Sequence, residues 1–347
     1  MHTIYLINWI LPILFCVNAD TAMLQQVQRI ELKGVEGRID HMAVDPQANR
    51  LYVAALGNNT VEVIDLNTGK QVETLRGMKE PQGICVIPDS GKMIVASGQD
   101  GTVRAYDRSL KLLGTVEGLD DADNVRYDAQ AERIYVGYGS GALAVIDPAK
   151  MAKLADIKLD GHPESFQLES GGHRLYVNVP AAHHVAVVDR TKQTVIAKWP
   201  VKEAAANFPM ALDEANHRLL IGCRKPAKLL VLDTQSGKVV ASMDCCGDTD
   251  DVFYDAAHKR VYLSGGEGCI SIFEQTDPDH YRLAETLKTA AGARTSLFVP
   301  QIGRLYLAIP HRPPQPAEVR VFQTTQSHSE SRFSVANPRY NSAFRQE

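Results

Sequence analysis

A basic residue followed by a short apolar strand returns seven times along this chain. The copies are Arg50-Leu51-Tyr52-Val53, Lys92-Met93-Ile94-Val95, Arg133-Ile134-Tyr135-Val136, Arg174-Leu175-Tyr176-Val177, Arg218-Leu219-Leu220-Ile221, Arg260-Val261-Tyr262-Leu263 and Arg304-Leu305-Tyr306-Leu307. Successive copies lie 42, 41, 41, 44, 42 and 44 residues apart. Such regularity calls for stacked or radial units, because one unit of this size cannot bury its own apolar face. A second, alternating strand follows each mark and ends in an acid, at residues 61–65, 103–107, 143–147, 185–189, 229–233 and 270–274. The seventh copy departs from the rule, with Phe322 in place of the acid and a Pro-rich loop at residues 310–316.

A third strand precedes each basic mark, for example at residues 41–44 and 252–254, and a fourth follows each acid, for example at 71–75 and 239–243. Four strands of about five residues in a unit of about 42, rich in β-branched and aromatic residues with Gly, Asn and Asp at the turns, predict an all-β, seven-bladed β-propeller with four-stranded blades. This reading replaces the two or three domains that 347 residues would suggest. The last blade lacks its own outer strand, because the chain turns polar after Phe322. Residues 27–32, Val-Gln-Arg-Ile-Glu-Leu, resemble the outer strand at 154–159, so the N-terminal strand is expected to close the ring and cover an edge that would otherwise invite aggregation. The propeller then occupies residues 20–323, and residues 324–347 form a polar tail.

Residues 4–17 form an apolar run of signal-peptide length, and Val17-Asn18-Ala19 supplies small residues where a signal peptidase reads. Residues 1–19 are therefore expected to be a cleaved leader, with an uncleaved anchor as the alternative because the n-region carries little charge. The mature protein is expected to be periplasmic or secreted, without a membrane span and monomeric. A net charge of −4 argues against nucleic acid as partner, since duplex binders carry a basic face.

The segments Tyr52-Val53-Ala54-Ala55 and Asn58-Asn59-Thr60-Val61-Glu62-Val63-Ile64-Asp65, with Pro81-Gln82-Gly83-Ile84-Cys85-Val86-Ile87-Pro88 after them, resemble the YVTN repeat of YncE-like β-propellers. The resemblance covers nearly all of the mature chain. It implies an exported propeller whose relatives bind ligands, metals or single-stranded DNA. Similar propellers also serve in lactonases and in quinoprotein or d1-haem enzymes, so the fold alone assigns no activity.

The repeated Arg/Lys and Asp/Glu marks are expected to form a cross-strand ion pair within each blade. The opposite face is the candidate functional face. Aligning the copies places Asp40, Gln82, Asp123, Glu164, Phe208, Asp250 and Thr295 at one rim position of the central channel, and His41, Gly83, Asn124, Ser165, Pro209, Asp251 and Ser296 at the next. Acids gathered at one channel mouth focus negative potential there. The candidate ligand-binding residues are Asp40, His41, Asp123, Asn124, Glu164, Asp250 and Asp251. An oxygen-rich rim suits a hard divalent cation such as calcium, with Asp40, Asn124, Glu164, Asp250 and Asp251 as candidate ligands. His41, His162, His183, His184 and His311 lie on the same face and leave zinc or copper open.

Five cysteines remain after the leader. Cys223, Cys245, Cys246 and Cys269 are expected to gather around blades five and six and to form one or two disulfides there, leaving Cys85 a buried odd thiol. The chain has no Cys-x-x-Cys-His, His-Glu-x-x-His or Gly-x-Ser-x-Gly. The expected function is that of a non-catalytic module binding a small ligand, a metal or a protein at the acidic channel face. The alternative is a lactonase-like hydrolase in which a cation at the mouth polarises a carbonyl.

Overall fold

A computed structural model describes residues 22–325. The expected leader at 1–19, and all but the first two residues of the expected tail, lie outside the described residues. The described chain forms seven four-stranded antiparallel sheets arranged as a propeller. Blade one shows the pattern, running outward from the channel through Met42–Asp45, Arg50–Ala55, Thr60–Asp65 and Lys70–Leu75. The two middle strands are covered on both faces by neighbouring blades and are accordingly buried along almost their whole length and mostly apolar, whereas the outer strand meets solvent. The core is not one mass. Seven apolar clusters fill the seven seams between blades, the first uniting Val319 and Tyr306 of blade seven with Leu51 and Ile64 of blade one. Among the described residues no helix is long and apolar enough to cross a membrane.

The ring closes as the sequence leads one to expect, through a longer strand. Leu24–Glu31 runs antiparallel to Glu318–Thr324, from Leu24 opposite Thr324 to Glu31 opposite Glu318, and becomes the outer strand of blade seven. Leu24, Ile30 and Leu32 bury their side chains in the seams. Three such side chains contribute about 1.5–3 kcal/mol each.

The repeated charges are organised differently from the expectation. Of the basic marks only Arg218 reaches the acid across the blade, Asp233, at 2.8 Å. The others mostly reach into the next blade: Arg50 donates to the Arg108 carbonyl, Lys92 to Pro148, Arg174 to Thr234 and Arg260 to Thr325. The acids instead accept backbone N–H groups of the turn that follows them, as Asp65 does from Thr68, Asp147 from Ala149 and Lys150, and Asp189 from Thr191 and Lys192. The physical reason lies in reach and competition. An Asx turn satisfies a short carboxylate locally, and this frees the long guanidinium to join blades. Arg190 adds a buried inter-blade pair with Asp128 and also donates to the carbonyls of Glu169 and Gly172.

Candidate functional site at the channel mouth

One backbone device builds the rim. The residue at the first rim position donates its N–H to the blade's second strand, and the next residue accepts a bond back. This occurs at Asp40 and His41 against Ala54, at Asp123 and Asn124 against Gly137, and at Glu164 and Ser165 against Asn178. In blades two, five and six the inner strand slips register at the same place, between Pro81 and Ile84, Asn207 and Met210, and Thr249 and Asp251. The extra residues, among them Gln82, Phe208 and Asp250, are thereby turned out of the ladder toward the channel, as bulges do. Gly83 is glycine for a visible reason, since a Cβ there would meet the Asp123 carbonyl at 2.1 Å.

The structure brings six of the seven expected residues to one cavity of about 210 Å³: Asp40, His41, Asp123, Asn124, Glu164 and Asp250. Asp251 does not line it but faces His41 and accepts the Ser296 N–H at 2.8 Å. His41 stands among three carboxylates, its Nε2 3.7 Å from Asp40 and 3.9 Å from Asp123, and its Nδ1 3.8 Å from Asp251. These separations are too long for direct hydrogen bonds.

The mouth is not the bare ring of acids that the alignment suggests. Arg38, Arg224 and Arg294 line the same cavity. Arg38 meets Asp40 at 2.6 Å, Arg224 meets Asp250 at 2.6 Å while stacking on the Phe208 ring, and Arg294 meets Asp250 at 3.2 Å. Asp121 and His162 complete the rim, with His162 Nδ1 2.7 Å from the Gly139 carbonyl. The arginines escape a repeat alignment because they come from non-equivalent places: the chain before blade one, the end of a second strand, and the loop before blade seven. Two signals were available in the sequence: Arg38, two residues ahead of the rim residue Asp40, and Arg294, immediately ahead of the rim residue Thr295.

Two acceptors in this cavity stand without donors. Asp123 Oδ1 and Asn124 Oδ1 are buried and accept no hydrogen bond among the described residues, and the two residues are only 9% and 2% exposed. Burial, reinforced by Asp40 and Glu164, holds the Asp123 carboxyl well above the usual carboxylate range. Burial and the Asp250 charge push Glu164 up to about 8, against the pull of Arg224. Asp250 and Asp251 are raised as well, first by desolvation. Arg38 is raised, because Asp40 and its neighbours outweigh its burial.

No family model matches the chain. It is 24% identical over 240 residues to the uncharacterized protein YncE of Salmonella typhimurium, an alignment covering 64% of this chain and 67% of that protein, and equally to YncE of Salmonella typhi. The chain fits the YncE-like propeller family. Solved propellers agree on the fold: a chain in a mitotic checkpoint complex (TM-score 0.74, 14% identity, 93% of this chain and 99% of that one) and one in Kuenenia stuttgartiensis hydrazine synthase (TM-score 0.70, 15% identity, 84% and 99%).

Among the described residues of this YncE-like propeller, the candidate cation ligands are not gathered into one group as they stand. Calcium needs six to eight oxygens at about 2.3–2.6 Å. Here the His41 ring stands among the carboxylates, and Asp40 and Asp250 are engaged by arginines. Among the described residues no group of three or more His, Cys, Asp or Glu is placed to hold a metal ion. The other expected histidines have separate partners: His184 lies 3.8 Å from Asp160, His311 pairs with Glu36, and His183 caps a short turn in the left-handed region.

The cysteines gather as expected, in a different arrangement. Cys246, in the connection between blades five and six, is bonded to Cys269, the first residue of Cys269–Asp277 in blade six. Cys223 lies inside the strand Arg218–Lys225 and is a buried free thiol, and half-buried Cys245 is also free. Burial pushes both thiols up to about 12. Cys85 is also a free thiol, half-buried and pushed up to about 12 by desolvation.

Proposed function

We propose that this YncE-like propeller is a non-catalytic binding module that takes a small, polar ligand rich in N–H donors at the channel mouth. The observation that supports it is a polar cavity of about 210 Å³ lined by Asp40, His41, Asp123, Asn124 and Glu164, in whose wall two acceptors, Asp123 Oδ1 and Asn124 Oδ1, are buried without a donor among the described residues. Leaving a buried acceptor unsatisfied costs about 1–3 kcal/mol, so such groups call for a partner. The Cys246–Cys269 bond favours a place outside the cytoplasm, where disulfides persist. The test is thermal unfolding with millimolar small amines. The melting temperature should rise for the wild-type chain and not for Asp123→Leu; equal shifts in both, or none in either, contradict the proposal.

A further inference from the structure

The mouth cavity does not end at Arg38. A second recess of about 260 Å³ adjoins it between blades six, seven and one, and Arg38 and Arg294 line both. Its charges do not cancel. Arg294 is engaged, with both Asp248 oxygens at 3.0 Å and Asp250 at 3.2 Å, and His311 is engaged by Glu36. Arg38 spends one nitrogen on Asp40, and its side chain remains 46% exposed. Arg312, exposed, also lines the recess and makes no side-chain hydrogen bond or ion pair among the described residues. Its guanidinium lies against Gly292, where a Cβ would fall 2.8 Å from a terminal nitrogen. Gly292 also has φ +83°, a conformation that other residues resist. The recess therefore offers two incompletely used guanidinium forks, the geometry that takes a carboxylate. On the other side of Arg38, Asp123, Asn124 and Glu164 offer acceptors.

We infer that the ligand is a small zwitterion of the amino-acid class, with its ammonium against Asp123, Asn124 and Glu164 and its carboxylate between Arg38 and Arg312. This rests on the mouth being a binding site and adds which ends the ligand has and where each goes. A purely cationic ligand would leave Arg312 idle, and a dianion would leave the acceptors of Asp123 and Asn124 without a donor.

The test is calorimetric titration at pH 8 and low salt with unbranched ω-amino acids from glycine to 6-aminohexanoate, together with the diamine and dicarboxylate of each length. One amino acid should bind at least tenfold tighter than its matched diamine and dicarboxylate. Arg312→Gln should weaken that amino acid at least tenfold and leave the diamine unchanged, while Asn124→Leu weakens both. Asp123→Leu, which removes the neighbouring acceptor, replaces Asn124→Leu if the latter fails to fold. A diamine or dicarboxylate that binds as tightly as the amino acid, or an Arg312→Gln chain with unaltered affinity, overturns the zwitterion. The mouth reading survives that result as long as Asn124→Leu still weakens binding. Absence of binding by the whole series defeats both.

Discussion

Replacing Glu164 by glutamine should stabilise this protein, and the gain should grow with pH. Glu164 is held near 8 in the folded chain, chiefly by burial and then by the Asp250 and Asp40 charges, against an ordinary value of 4.5. Between those two values the native state holds a proton that the unfolded state has released, so stability falls as pH rises through the window. At pH 8 the 3.5-unit gap corresponds to about 5 kcal/mol at ~1.4 kcal/mol per unit, an upper figure because Arg38 and Arg224 can close on the ionised carboxylate. At pH 5 the same arithmetic leaves less than about 1 kcal/mol. Glutamine keeps the shape and carries no charge. Urea unfolding of wild type and Glu164→Gln at pH 5 and pH 8 should therefore give nearly coincident midpoints at pH 5 and a variant more stable by several kcal/mol at pH 8. A variant that is less stable at pH 8, or an offset equal at both pH values, would refute the idea that burial holds this carboxyl neutral.

Removing residues 20–33 should open the ring. It strips the outer strand from blade seven and exposes the partners of Leu24, Ile30 and Leu32, at about 5–9 kcal/mol for the side chains alone, so circular dichroism should show a chain that melts far earlier or does not fold. An unchanged melting temperature would dismiss the closure. Arg190→Leu should cost about 3–5 kcal/mol in denaturant unfolding, because it leaves Asp128 and two carbonyls of the blade-four turn without their donor; a cost under 1 kcal/mol would make this tie decorative. Reducing Cys246–Cys269, or Cys269→Ser, should lower stability by about 3 kcal/mol, as expected for a loop closed across 23 residues. A melting temperature insensitive to reductant would contradict that.

The architecture was legible because each blade states it separately. An interval of 41 to 44 residues with two marks survives any single deviation, and the N-terminal strand could be found because blade seven was visibly short of one. Rim positions were legible for the same reason, since Asp40, Asp123, Glu164 and Asp250 occupy equivalent places in their blades. What periodicity could not reveal is what non-equivalent residues do at the axis. Arg38, Arg224 and Arg294 reach the mouth from different positions and convert an acidic ring into a charge-paired cavity. The same limit explains the misread ion pairs. Spacing placed Arg50 opposite Asp65, as the register confirms, but spacing is blind to a nearby carbonyl in the next blade that the longer side chain reaches instead. Cys223 stays out of the disulfide because the second strand of blade five is longer than its counterparts, extending to Lys225 and enclosing the thiol.

The most direct test of the binding site is the imidazole of His41, which stands among Asp40, Asp123 and Asp251 at 3.7, 3.9 and 3.8 Å. Its ring proton resonances, assigned by comparison with His41→Gln, should be followed by NMR during titration with the tightest-binding amino acid of the series. Occupancy of the mouth predicts saturable His41 shifts that track the calorimetric affinity and disappear in Asn124→Leu. Calorimetric binding with His41 unmoved would place the ligand elsewhere on the propeller and contradict the account.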